Sequence, residues 1–542
     1  MNRTLGHLLL FVCLLCCLVQ LGCDSDISGT PLENQPPDTE LSVRDTSLVD
    51  NLNEENRLIS TVFASWSGDD ADGFVQSFEF RFFDENDLLM PEEGWTATLA
   101  NDTLILLPIE RGSKTANVAF EVRAIDNEGI KDPTPARTVF PIQNSPPNIR
   151  ISSFDLPPDT TFGIISFAWR ADDPDGPENI TRIDISLNDS TSFVSLPPDV
   201  DFITLSANNM GRDQAAGTTI ESEVFFGRGL VSSGITVPGL MLESDNTFYV
   251  RSVDATDTTS TIERFEWYVK KSNSNILFVN DFRKASNPTI QSFHVNLLQE
   301  YLPAGTDLDT WKIAEPFVTG NTGNAPRSDA LPPNASPTLQ SFFNAYDYIY
   351  WVTTASTNSV QGNNLPLAAS VMDGFFDQGG KLMVHSPITL PNDPETNLNN
   401  PAVAILPVNE LVLLPDSLRR LSLPTGSTLT PLNEVPGTGQ VPPELTVQQF
   451  IIGALPFVAD GASTVPLYDG MYRYVALNSN QGDWPGPSSV ASISADQRIG
   501  IFTIPMVNEQ TGAPSLTDAN GDGEAAKTAV KLMLESLGFP KR

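Results

Sequence analysis

The amino-acid sequence predicts a multidomain chain in which two all-β sandwiches precede an α/β domain built on a parallel sheet. Three observations predict it. A set of strand-and-turn motifs repeats through the first half, apolar and polar residues alternate with period two around those motifs, and after residue 275 the rhythm changes to short continuous apolar runs separated by helical spacing. The 542 residues suffice for three or four domains, each with its own core. A hydrophobic content of 40% with 43 prolines and 36 glycines suits strand-rich domains punctuated by turns.

The N-terminus comes first. Arg3 gives it a positive start, and Leu8 to Val19 form an apolar run of signal-peptide length, shorter than the ~20 residues of a membrane-spanning helix. Leu21-Gly22-Cys23 follows, then Asp24-Ser25-Asp26 and a Pro-rich polar stretch. These residues resemble the lipobox of bacterial lipoproteins, in which a small residue precedes a cysteine that is acylated and becomes the new N-terminus. Gln20 stands where Leu is usual, with Val19 one position further out, so the lipobox is of the loose kind found in Bacteroidetes and their relatives. The resemblance implies a signal peptide over 1–22, a lipid on Cys23, a linker over 23–35, and a membrane held through that lipid. It places the protein in the cell envelope, at the outer membrane or cell surface rather than the inner membrane. The alternative is an ordinary cleaved signal peptide with Cys23 incidental. All four cysteines (Cys13, Cys16, Cys17 and Cys23) fall in this segment, so a chain beginning at Cys23 has no disulfide, thiolate metal site or cysteine nucleophile. Three acyl chains, at ~0.8 kcal/mol per buried CH₂, make an effectively permanent anchor.

Net charge bounds the partners. At −36 the surface repels nucleic acid, which is excluded as a partner. The acidity is spread along the chain, which suits either an organism of high-salt habitat or a mildly acidic secreted protein.

The repeat comes next. One copy opens with Asn34-Gln35-Pro36-Pro37 and the other with Asn144-Ser145-Pro146-Pro147. Phe63-Ala64-Ser65-Trp66 runs into Asp69-Asp70-Ala71-Asp72-Gly73, and Phe167-Ala168-Trp169 into Asp172-Asp173-Pro174-Asp175-Gly176. The copies close with Val122-Arg123-Ala124-Ile125-Asp126 and Val250-Arg251-Ser252-Val253-Asp254. A Trp on an early strand paired with such a late strand resembles the fibronectin type III and related immunoglobulin-like folds, over 36–143 and 144–270. Trp66 and Trp169 are then core residues; exposed sugar-stacking platforms are the alternative. The stretch from Ser195 to Gly239, rich in Gly, Ser and Thr, reads as a surface excursion. Asp69, Asp70 and Asp72, like Asp172, Asp173 and Asp175, are candidate calcium ligands, with a solvated turn as the simpler reading. Apart from calcium, no cofactor is expected.

Residues 270–275 read as a polar joint. Ile276-Leu277-Phe278-Val279-Asn280 then suits a strand buried on both faces, and Thr289 to Leu302 has helical spacing. Tyr348 to Val352, a helix near 366–377, Lys381 to Val384, Ile499 to Phe502 and a closing helix over 524–537 continue the pattern, implying βαβ units. Asp347-Tyr348-Ile349-Tyr350-Trp351-Val352 and Gly379-Gly380-Lys381-Leu382-Met383-Val384-His385 resemble the class I glutamine-amidotransferase-like superfamily, in its non-amidotransferase branches with a flavodoxin-like sheet. This domain spans 275–542, with an unassigned insertion at about 391–497. The family's nucleophilic cysteine is missing, and His385 and Ser386 occupy the turn where it would stand.

In open α/β sheets ligands bind beyond the carboxyl ends of the strands, which nominates Asp281, Arg283, Thr354, His385 and Ser386 as lining a crevice. His294, in mid-helix, reads as structural. Asp518, Asn520 and Asp522 mimic the start of a calcium loop, but Ala529 stands where the closing Glu is required. The expectation is a lipid-anchored extracytoplasmic protein without catalytic residues, binding a glycan, peptide or partner protein. The alternative is an envelope hydrolase or carbohydrate-active enzyme using the crevice.

Overall fold

The computed structural model describes residues 33–44, 61–84, 94–106, 114–282, 286–313, 336–353, 364–365, 369–388, 405–459 and 462–542. The signal segment and Cys23 lie outside the described residues, as do Arg283 and Thr354. The chain is mostly β, arranged in several sheets as β-sandwich organisation requires. No helix among the described residues is long and apolar enough to cross a membrane. Two compact units divide it, Met1–Ser145 and Pro146–Arg542.

In the first unit, strands Asp38–Arg44, Thr61–Asp69 and Asp102–Leu106 form a three-stranded sheet. Thr96–Thr98, Val75–Asp84, Thr115–Asp126 and Ala136–Gln143 form a four-stranded one. Alternate residues of both (Ala64, Trp66, Phe78, Phe120, Val122) meet in one core. Trp66 is buried, with ring centroids of Phe80 and Phe120 both 6.1 Å away and its indole N–H donated to the Ala100 carbonyl at 3.0 Å. Arg123 shows what the repeated closing strand does. It lies opposite Glu79, pairs with that carboxylate, and stacks 4.1 Å from the Trp95 ring.

The second unit begins with a larger sandwich of two five-stranded sheets. Trp169 repeats the role of Trp66, buried and donating to the Val200 carbonyl at 2.8 Å. Both tryptophans are therefore core residues, not sugar platforms. Arg251 likewise pairs with Asp184 at 2.9 Å and stacks 4.1 Å from Phe193. The Ser195 to Gly239 stretch is no surface excursion. It supplies strands Phe202–Ala207, Thr219–Phe226 and Val231–Met241 of one sheet, with Val224, Val237 and Leu240 in the core. Exposed Thr219, Ser232 and Thr236, together with the buried Thr204 and Ser222, gave it the composition of a loop.

The polar joint is also corrected. Ser272 and Ser274 are buried, and the Ser272 hydroxyl donates to Asp309 at 2.6 Å. Phe162, Ile164 and Met210 of the sandwich share a core with Leu277, Val279 and Trp351 of the following sheet, so no linker separates them.

That sheet is mixed and twelve-stranded. One half runs in the order Asp309–Trp311, Ile276–Asp281, Tyr348–Thr353, Lys381–His385, Ile499–Phe502, every neighbour parallel. From Ser489–Ser494 onward the pairing turns antiparallel. The stretch from 405 to 497, unassigned from sequence, thus extends the same sheet and adds a separate four-stranded one. The expected all-parallel sheet is only part of it. Ile276, Phe278, Tyr350, Val352 and Met383 face helices Asn287–Tyr301 and Glu524–Ser536, while Leu277, Val279, Trp351, Leu382 and Val384 face helix Ser336–Asn344 and Phe375.

The Gly379-Gly380 pair has a local cause. Gly379 ends the preceding helix at φ +89°, and a Cβ on Gly380 would sit 2.5 Å from the Phe375 ring. Gly380→Ala is expected to cost about 1–3 kcal/mol by overpacking, read as a lower urea midpoint with unchanged slope.

Candidate functional site: a crevice at the strand ends

The carboxyl ends of four parallel strands open into a cavity of about 110 Å³. Phe282 follows the first, Val352 and Thr353 end the next, His385 and Ser386 close the third, and Phe502 and Thr503 the fourth. Ile452 to Ala454 and Ile504 to Val507 wall it from the antiparallel side, so the lining is mostly apolar. Glu509 is the one carboxylate among the lining residues.

Its polar feature is a chain of three buried rings. His294 Nδ1 lies 2.8 Å from the Tyr350 hydroxyl, which lies 2.8 Å from His385 Nε2. Tyr350 has one proton to give. If it donates to one imidazole it must accept from the other, so the two histidines are locked into complementary tautomers. His385 Nδ1 has no partner and is buried, its ring lining the cavity. That nitrogen is a donor when Tyr350 donates to Nε2, and an acceptor when Nε2–H donates to Tyr350. Reversing the chain reverses the character of the site.

Burial holds both imidazoles neutral. It pushes His294 down to about 3 and, with the neighbouring His294, His385 well below the ordinary histidine range.

The sequence-nominated residues fare unequally. His385 and Ser386 line the cavity, whereas Asp281 does not. Asp281 is buried, accepting the Asn364 backbone N–H at 2.6 Å and its side-chain amide at 2.8 Å. No hydrogen bond joins Ser386 to His385, whose Nε2 is committed to Tyr350. His294, read as structural, and Tyr350 belong to the site. Pairing between residues 56 apart leaves no local signal, although a buried His on the sheet-facing side of a helix was a hint.

The aspartate-rich turns are occupied with their own backbone. Asp70 Oδ1 accepts the Asp72 N–H at 3.4 Å, and Asp72 accepts that of Gln35 at 3.1 Å. Asp69 and Asp172 are exposed strand ends. Asp173 Oδ1 accepts the Asp175 N–H at 2.8 Å. Asp518 Oδ1 takes the N–H groups of Asn520 and Asp522, and Asp522 takes that of Glu524 at the start of the last helix. No group of three or more His, Cys, Asp or Glu among the described residues is arranged to hold a metal ion. Burial, with the charges of Asp175 and Asp254, pushes the Asp173 carboxyl up to about 6 against the Asp175 amide that holds it down.

No protein-family model matches the chain, and no curated protein matches it. Among solved structures it is similar to the fibronectin(III)-like modules of Clostridium thermocellum CbhA, at 11% identity and a TM-score of 0.16, over 43% of this chain and 94% of that one. A likeness this weak carries no weight beside the strand pairings themselves.

Three outcomes are expected. Tyr350→Phe strands two buried ring nitrogens and should cost about 1–3 kcal/mol in urea unfolding. Because the unfolded histidines bind protons that the folded ones refuse, their contribution is complete above about pH 6.5 and is lost as pH falls towards 3. His294→Gln should flatten that fall in a melting-temperature profile. Asp173 acts in the opposite sense, its contribution present below pH 3.8 and lost as pH rises through about 6. Asp173→Asn should therefore raise the melting temperature at pH 7 and leave it unchanged at pH 3.5.

Proposed function

We propose that this chain is an exported, lipid-anchored envelope protein whose C-terminal half binds a small uncharged group in the strand-end crevice, without catalysis. One observation carries the binding part: His385, whose Nδ1 is buried without a hydrogen-bond partner, lines a mostly apolar cavity. Such a nitrogen bears a desolvation cost that a ligand hydrogen bond would offset. An engineered dry cavity of about 150 Å³ holds benzene, so a space of this size suits a group of a few heavy atoms, an amide or hydroxyl on an apolar stem. A charged group is disfavoured by the same burial that keeps both histidines neutral. Such a group belongs equally to a glycan's N-acetyl arm, a peptide side chain or a protein partner.

Several features support the finer fold reading. Numbered along the chain, the parallel strands lie in the order 2-1-3-4-5 of flavodoxin-like sheets, where ligands bind beyond the carboxyl ends. That order, with the Gly379-Gly380 turn, favours an amidotransferase-like domain that has lost its cysteine. The three-plus-four sheets of the first unit favour a fibronectin type III-like module. Against hydrolysis stands the missing nucleophile–base contact between Ser386 and His385. Export and anchoring rest on the first 35 residues, and calcium has no part in this reading.

Two measurements test it. Metabolic labelling with a palmitate analogue should mark the wild type and not Cys23→Ser; labelling of both, or of neither, would overturn the anchor. N-acetylglucosamine and acetamide should give saturable ligand-observed NMR signals that His385→Phe abolishes while the melting temperature holds. Signals that survive in that variant would remove the crevice from the proposal.

A further inference from the structure

A groove lies on the sandwich of the Pro146–Arg542 unit, on the outer face of the five-stranded sheet that contains Asn148–Ile151. Asn148–Ile151 is the edge strand there and pairs antiparallel with Ile164–Asp172, setting Arg150 directly opposite Arg170. Directly opposite residues have their Cβ atoms about 5 Å apart, and like charges so placed repel. Neither guanidinium has an ion pair or hydrogen bond to any described residue, in a chain whose net charge is −36. With carboxylates so plentiful, two adjacent unpaired arginines are an unusual arrangement.

They edge an open groove of about 560 Å³. Its floor is apolar, made by Ala168 and Phe202, which face each other across the next strand pair. Arg228 closes the far side, its guanidinium 4.5 Å from the Phe202 ring and 2.7 Å from Asp155. Phe154 stands at the rim with 81% of its surface exposed. Asp201 also lines the groove and opposes the positive field.

We propose that this groove binds an amphiphilic monoanion: a carboxylate on an aromatic or aliphatic body. The carboxylate bridges Arg150 and Arg170, converting their repulsion into two charge-assisted hydrogen-bonding partners, and the body lies on Phe202 and Phe154. The overall charge argues for one negative group, because a polyanion would be repelled by the rest of the surface. A free small acid and the carboxy-terminal residue of a peptide share this chemistry.

Calorimetric titration in detergent of the full-length chain carrying His385→Phe, which removes the acetamide-binding crevice, distinguishes them. The probes are 3-phenylpropionate, N-acetyl-phenylalanine, N-acetyl-phenylalaninamide and sodium sulfate. Both acids should bind, and the amide and bare sulfate should bind about tenfold more weakly or not at all. Preference for N-acetyl-phenylalanine supports the chain-end source, and preference for 3-phenylpropionate the free acid. In that background Arg150→Gln and Arg170→Gln should each weaken the acids about tenfold, and Asp201→Asn should tighten them. Each arginine variant should melt at or above the wild-type temperature in low salt, since it relieves repulsion. Equal binding of acid and amide, sulfate binding as tightly as the acids, unchanged affinity in the arginine variants, or a lowered melting temperature in them would each overturn the proposal.

Discussion

Two-sided burial of the central parallel strands is the constraint on which the C-terminal half depends. Ile276 to Val279, Ile349 to Val352 and Leu382 to Val384 send successive side chains to opposite faces, and neither face meets water. One face needs the helices Asn287–Tyr301 and Glu524–Ser536. The other needs Ser336–Asn344 and, beyond it, the edge of the preceding sandwich. A strand that must be covered twice cannot end in a free linker, which is why the serines around 272 are buried and hydrogen-bonded. The Ser272 hydroxyl donates to the Ser274 carbonyl and to Asp309, Asp309 also accepts the Asn273 N–H, and the Ser274 hydroxyl accepts the Ile276 N–H, so the passage from sandwich to sheet is hydrogen-bonded.

The same dryness governs the strand ends. Asn280 donates to Asn287 and Gln291, Asp281 accepts from Asn364, and Tyr350 bridges two histidines. Against that background of satisfied groups, the lone His385 Nδ1 stands out. The crevice is defined less by its shape than by being a place where the hydrogen-bonding inventory of the strand ends fails to close.

Much of this was readable from residues alone, and the failures have one cause. The repeated Trp and Val-Arg strands were legible because each signal is local: alternation along one strand, an aromatic at a fixed register. The continuous apolar runs at 276 and 348 were legible for the same reason. What escaped depends on which distant element lies opposite. The Ser195 to Gly239 strands mix exposed Ser and Thr (Ser232, Thr236) with buried ones (Thr204, Ser222), which gives them the composition of a loop although Ile203, Leu205, Val224 and Val237 lie in the core. The strand-end rule points to His385 and Ser386, which line the cavity, and equally to Asp281, which does not, because it carries no information on the direction of each side chain. It could not tell that Asp281 turns to Asn364 while His385 pairs with Tyr350 beside the cavity.

The closing strands explain why an acidic chain keeps its arginines where it does. Arg123 and Arg251 each sit opposite a carboxylate and over an aromatic ring, and the flat guanidinium satisfies both at once where a lysine could not. A buried pair of this kind adds little net stability over a hydrophobic pair, yet removing either partner leaves an uncompensated charge. Such pairs therefore fix strand register more than they raise stability, and a one-residue slip would turn Arg123 away from Glu79. Arg150 and Arg170 break the rule followed at Arg123 and Arg251: same sheet chemistry, no carboxylate opposite. The carboxylates needed to pair them are abundant in this sequence, and what sets this position apart is that an arginine stands opposite an arginine.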